Sequence, residues 1–279
     1  MKKSHKLLGL TGLTALLAGI GLAQRTAREL PSHSTGTPEW TNDVAFQKDV
    51  FTFVRIKYAV DGTYGFGRTL GGPRNRWLID APDSDLNFSY RLQQMTSLKV
   101  NPEGLFLEIT DKELFDYPFI YIVEPGRMRF TEEELPILRR YLLNGGFLMF
   151  DDFWGEREWG NFHTEIKRVF PDLEPEDLPL EHPIFHCIYD LKFKPQIPGL
   201  PHVQGREGFE VTWERPDAKE VHYRAIFNEQ RRMMVLICHN TDLGDGWERE
   251  GENEYYFREY SEKSAFPLGI NIIFYVMTH

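Results

Sequence analysis

One stretch, TEEELPILRRYLLNGGFLMFDDFWG (residues 131–155), constrains the fold of this 279-residue chain more than any other. Thr131 and Glu134 stand at the spacing of a capping box, in which hydroxyl and carboxylate satisfy each other's backbone N–H groups and a helix begins. Leu135, Leu138 and Leu142 follow at i, i+3 and i+7, which makes one helix face apolar. Gly145 and Gly146 end the helix, where a left-handed backbone closes the last turn. Residues 147–150 are then an unbroken apolar run, as a parallel strand covered on both faces requires. The run stops at Asp151 and Asp152. Ligands of open α/β sheets bind beyond the carboxyl ends of the strands, so a site is expected at these two carboxylates. Pro136 removes a donor early in the helix and predicts a kinked or 3₁₀ first turn.

The same alternation runs through the rest of the chain. Residues 51–60, 105–109, 119–123 and 184–191 read as strands. A helix capped by Asp83 or Ser84 runs to about Leu98, with Leu86, Tyr90 and Met95 facing inward, and an amphipathic helix spans 159–170. Residues 223–227 and 233–238 read as an inserted antiparallel pair, 239–247 as a polar Gly-rich loop, and 254–278 as a helix broken near Phe266-Pro267. Strands alternating with helices predict an α/β fold, a mostly parallel sheet with helices on both faces.

The first 23 residues have the pattern of an export signal. Lys2, Lys3 and Lys6 precede an apolar run to Leu22, and Gly21-Leu22-Ala23 is a small-x-small cleavage site, so cleavage after Ala23 and a periplasmic or extracellular location are expected. The run is at the short end of the roughly 17–25 residues that span a bilayer. Nothing later is long and apolar enough to span. Loss of residues 1–23 takes the net charge from −10 to −13, which argues against nucleic acid and anionic membrane as partners. Residues 24–48 read as a polar linker and 49–279 as one domain. Cys187 and Cys238 each lie in an apolar run, where a small buried residue and a disulfide are both possible readings.

Several blocks together, WLIDAPDSDLNF, YPFIYIVEPG, LRRYLLNGGFLMFDDFWG, EHPIFHCIYDL and PLGINIIFYVMTH, resemble the uncharacterised domain family DUF4159, from about Phe51 to His279. The resemblance implies a flavodoxin-like sheet of the class I glutamine amidotransferase and ThuA-like kind. It also implies Asp80 or Asp85 as partner of Arg55, a strand arginine that needs a carboxylate if buried. In a class I amidotransferase a cysteine sits on the turn after the central strand. Here that turn offers Asp151, Asp152 and Phe153, and neither cysteine lies in a Gly-x-Cys-x-Gly pattern, so thiol-based amide hydrolysis is not expected.

Asp151 and Asp152 admit three readings. They accept backbone donors or cap the next helix; they bind a polyol, with Trp154 and Trp159 as stacking surfaces; or they ligate a metal with His182 or His186. Pro183 breaks the helical i, i+4 argument for that histidine pair. Residues 239–246 resemble an oxygen-rich turn without EF-hand spacing, and Gly62, Gly65 and Gly67 lack the order of a dinucleotide fingerprint. The expected site is a ligand cleft lined by Gly126, Asp151, Asp152, Trp154, Glu156 and Asp242, with no metal and no cofactor assigned and no catalytic residue identified. The leading expectation is an exported binding or scaffold module that lacks the amidotransferase nucleophile, its partner a small polar ligand or an envelope protein. The alternative is a carboxylate-dependent hydrolase of carbohydrate or cell-wall material.

Overall fold

The capping box forms as its spacing predicts. Thr131 N donates to Glu134 Oε2 at 2.7 Å, and Glu134 N donates to Thr131 Oγ1 at 3.3 Å. The structure, a computed structural model, describes residues 25–46, 49–60, 75–203 and 211–279. The expected signal segment and the loop with Gly62, Gly65 and Gly67 lie outside the described residues.

Seven strands form the main sheet: β1 Val54–Lys57, β3 Leu105–Glu108, β4 Phe119–Val123, β6 Phe147–Phe153, β7 Glu176–Asp177, β8 His222–Phe227 and β9 Met233–His239. Their order is β3-β1-β4-β6-β9-β8-β7. The first five are parallel neighbours. Ranked by position in the chain they run 2-1-3-4-5, the flavodoxin-like order. The hairpin expected as an insertion extends this sheet, with β9 parallel to β6 and β8 antiparallel to β9. A separate antiparallel pair joins β2 (Ala59–Val60) to β5 (Met128–Arg129).

Helices cover both faces. On one side α2 (Glu134–Leu143) and α3 (Gly155–Val169) bury Leu138, Leu142, Phe162 and Ile166 against Ile56, Ile122, Leu148 and Phe150. On the other, α1 (Asp83–Met95), α4 (Leu243–Glu248) and α5 (Phe266–Thr278) bury Phe88, Leu92, Trp247, Leu268 and Ile272 against Phe53, Tyr121, Met149 and Leu236. Each large side chain removed from water contributes roughly 1.5–3 kcal/mol. Alternate residues of β6 enter opposite cores, and for that reason the strand reads as continuously apolar.

Four sequence expectations need correction. Residues 184–191 form no strand. Pro183–Phe185 is a 3₁₀ turn capped by the His182 side chain, and Asn271 Oδ1 accepts the N–H groups of Ile188 and Tyr189, so that backbone pairs with a side chain rather than a ladder. The loop 239–247 contains helix α4, whose N-cap Asp242 accepts from Asp245 N at 2.7 Å. The C-terminal helix does not break at Pro267. Residues Phe257–Ala265 are π-helical and lead directly into α5, whose first turn tolerates the proline's missing N–H. Met95 is exposed rather than inward.

The polar stretch read as a linker is packed over its first part. Ala27 and Leu30 are buried, Thr26 bridges Leu105, and the Arg28 guanidinium donates to the carbonyls of Pro102, Thr37 and Pro38. Among the described residues no helix is long and apolar enough to cross a membrane.

A carboxylate site at the carboxyl edge of the sheet

The site begins with a buried arginine. Arg55 on β1 is fully buried and grips the Asp85 carboxylate through Nε and Nη2. It also donates to Ser84 Oγ, to the Trp77 carbonyl at 3.0 Å and to the Ile79 carbonyl at 2.8 Å. Of the two partners that the resemblance implied, Asp85 is therefore the one hydrogen-bonded. The two carbonyl contacts fix residues 77–79, and Asp80 follows at φ 63°.

Asp152 reaches the same point from β6. The ladder between β6 and β9 shifts register between Phe150 and Phe153, and Asp152 sits in that bulge at φ 55°. Bulges commonly re-aim a side chain beside a site. Here the bulge separates the two adjacent aspartates. Asp151 stays in register with Val123, fully buried, and its Oδ2 accepts from Tyr121 Oη at 3.0 Å and Gly244 N at 2.9 Å. It serves backbone and core donors, as the plainest of the three readings has it. Asp152 turns into the cleft, where Oδ1 accepts from the Trp154 indole N–H at 2.9 Å. Asp242 arrives from the N-cap of α4. Among the described residues five non-glycine residues have positive φ, and four of them, Asp80, Glu124, Asp152 and Asn240, lie at the carboxyl edge of the sheet. Such backbone costs of order 1–3 kcal/mol per residue and clusters at functional sites.

The carboxylates converge. One oxygen each from Asp80, Asp152 and Asp242 lie within 4.8 Å of one another, and so do oxygens of Asp80, Asp245 and Glu248. The two groups differ in compensation. Arg249 Nε lies 3.1 Å from Asp245 Oδ1, and Nη2 lies 2.9 Å from Glu248 Oε2, so the second group has an internal cation. Asp80, Asp152 and Asp242 have no arginine or lysine ion pair among the described residues, and the buried Asp80 Oδ2 has no hydrogen-bond partner. Gly244 makes room for it, since a Cβ there would fall 2.5 Å from Asp80 Oδ2.

Electrostatics follow from this crowding. Burial raises the carboxyl pKa values of Asp80, Asp152 and Asp242 well above the ordinary range. Neighbouring acids add to it: Asp245 beside Asp80, Glu124 and Asp80 beside Asp152, and Asp152 and Asp245 beside Asp242. Burial pushes Asp151 to about 7, against the pull of its donors, and Glu248 to about 10. A cation with oxygen ligands at about 2.0–2.6 Å would touch all three of Asp80, Asp152 and Asp242 at the observed spacing and relieve their repulsion. The surrounding cleft, about 220 Å³, also includes Glu124, Trp154, His202 and Arg249.

Of the residues expected from the sequence, Asp152, Trp154 and Asp242 line this cleft. Asp151 lies behind it. Gly126 lines a neighbouring depression and packs against Glu158, leaving no room for a Cβ. Glu156 is exposed at the start of α3, its N–H donating to Asp217. Asp80, Asp245, Glu248 and Glu124 were not anticipated as site residues. The oxygen-rich turn 239–246 is the sequence signal for Asp245, whereas Glu248 lies beyond it and has none. His182 and His186 stand outside both carboxylate groups, with His186 held by Asp190 and the Leu180 carbonyl. Both cysteines are free thiols, pushed up by burial, and Cys238 is wholly enclosed.

The profile of one family, Domain of unknown function (DUF4159), matches residues 52–277. The chain belongs to this family. The match covers every strand of the main sheet and every carboxylate of the site, so the cleft lies within the DUF4159 unit. No curated protein matches the chain.

Proposed function

We propose that this DUF4159 chain is an exported binding module that captures a small polar ligand through a divalent cation held by Asp80, Asp152 and Asp242. One observation carries the reading. Three carboxylates from three separate segments meet within 4.8 Å, and none of them has a direct arginine or lysine ion pair among the described residues, although Arg55 and Arg249 partly offset the charge of Asp80. Buried like charges at this spacing are costly unless protonated or bound to a cation. Oxygen-only donors favour magnesium, calcium or manganese over zinc. Export is supported by the basic, then apolar, first 23 residues. The up-shifted thiols, Cys238 buried and Cys187 half-buried, favour a module without amidotransferase nucleophile chemistry.

A second reading, a cation-dependent hydrolase, is favoured by the left-handed turn that lifts Asp152 from the end of a central strand into the cleft. A bound cation would lower the pKa of a ligated water and make it the nucleophile, with a cleft carboxylate taking the proton.

Calorimetric titration of the chelator-treated protein with manganese tests the main reading. Saturable binding is expected, weakened at least tenfold by Asp152→Asn or Asp242→Asn and left nearly unchanged by Glu156→Gln. Absence of binding in the folded wild type would sink the proposal.

A further inference from the structure

The depression beside the carboxylate cleft has the opposite charge. About 250 Å³ in volume, it is lined by Gly126, Arg127, Arg157, Glu158, Asn161 and Arg215, and Glu158 and Arg215 also line the cleft, so the two spaces adjoin. Arg215 is fixed, with Nη1 donating to the Trp154 carbonyl at 3.0 Å and Nη2 to Glu158 Oε1 at 2.7 Å. The other Glu158 oxygen accepts from Trp154 N at 3.0 Å, so this acid is fully engaged. Arg127 and Arg157 make no hydrogen bond or ion pair among the described residues. Arg127 faces Glu124, but that carboxylate is already paired with Arg76. Two uncommitted guanidinium groups therefore stand at one small depression on a chain whose net charge is −10.

We propose that this depression is an oxyanion subsite, and that the ligand is a small organic phosphate whose phosphoryl group sits against Arg127 and Arg157 while its polar body reaches the cation. The cation half rests on the reading above. Charge decides the class. The Arg215–Glu158 pair is neutral, which leaves two positive charges in the depression, a match for a phosphoryl dianion and one more than a single carboxylate requires. Guanidinium forks also suit the bidentate geometry of phosphate oxygens. Arg215 acts as the wall between the two spaces, since the same side chain borders both.

Inorganic phosphate is the probe, titrated into the full chain with and without saturating magnesium, with acetate as comparator. Phosphate is expected to bind more tightly than acetate. The Arg127→Ala, Arg157→Ala double variant is expected to lose at least tenfold in phosphate affinity while its manganese affinity stays within twofold and its melting temperature is unchanged. Both residues are exposed, so the fold does not depend on them. Phosphate affinity equal in the double variant and the wild type would overturn the subsite, as would acetate binding as tightly as phosphate. Manganese binding without any phosphate binding would overturn it while leaving the cation reading intact. Phosphate binding without manganese binding would leave the subsite standing and remove the cation reading.

Discussion

The Arg55 guanidinium donates to the Ile79 carbonyl at 2.8 Å, one residue before Asp80. That bond holds Ile79 at the margin of the cleft and so determines where the neighbouring Asp80 carboxylate stands. Replacing Arg55 by Met leaves Asp85 buried and unpaired, and a loss of about 3–5 kcal/mol in stability is expected by denaturant unfolding. Arg55→Lys keeps the charge but loses the fork that reaches two carbonyls and a carboxylate together. A folded Arg55→Lys protein should bind manganese at least tenfold more weakly. Unchanged affinity would mean that Asp80 is placed by something else.

The acidity of the cleft gives a pH dependence with a defined sign. Asp80, Asp152 and Asp242 have folded pKa values well above their unfolded values near 4, with Asp151 at about 7 and Glu248 at about 10. Between those values the folded chain holds more protons than the unfolded one, so stability falls as pH rises. Without a divalent cation, the melting temperature should be lower at pH 8 than at pH 5. The exposed acids whose pKa values are lowered by ion pairs, Glu174, Glu176 and Asp190, act mainly below about pH 5. His239, lowered to about 3 by burial, opposes the more numerous raised acids only until its unfolded counterpart deprotonates at about 6.5. Cation binding runs the other way, because it displaces protons, and manganese affinity should rise with pH over the same range. Melting curves in chelator and in manganese at both pH values check the two signs together.

Asp151 and Asp152, adjacent in sequence, should separate in their variants. Asp151→Ala leaves Gly244 N and Tyr121 Oη without an acceptor in the core, at a cost of roughly 1–3 kcal/mol for each buried group left unsatisfied. Asp152→Asn keeps an acceptor for the Trp154 indole and should leave stability nearly unchanged or raised, while cation affinity falls. Equal effects of the two variants on both properties would contradict the division of labour drawn from the bulge.

Local patterns made the frame readable. The capping box, the glycine pair and the run FLMF each encode their own structure, and β6 with its helix follows from residues within one segment. The site was only half legible. Asp152 and Asp242 could be placed because they end strands or start turns. Asp80 could not, because its position depends on an arginine 25 residues earlier. Helix α4 was hidden by Gly244 and Gly246, each costing about 1 kcal/mol in helix propensity. Both glycines answer to long-range contacts: a Cβ at Gly244 would strike Asp80, and one at Gly246 would fall 2.5 Å from Ala265 Cβ. The aromatic and β-branched residues of 184–191 read as a strand, but only Ile184, Phe185 and Leu191 are buried while Ile188 is exposed. The segment's backbone is held by the Asn271 side chain, 82 residues after Tyr189, which the local pattern does not encode.

The pairing of Thr26 with Leu105 has a consequence for any truncation or processing of this chain. Arg25–Leu30 lie along the outer margin of β3 and occupy hydrogen-bonding positions that another polypeptide could otherwise use, with Phe106 N donating to the Arg25 carbonyl. At the far margin β7 is only two residues long and carries Glu176 and Asp177, which discourages pairing there. A cut before Arg25 would preserve this protection, and a cut after Leu30 would strip it. The second product would present a bare parallel strand to its own kind, and its fate would be self-association rather than simple loss of a tail.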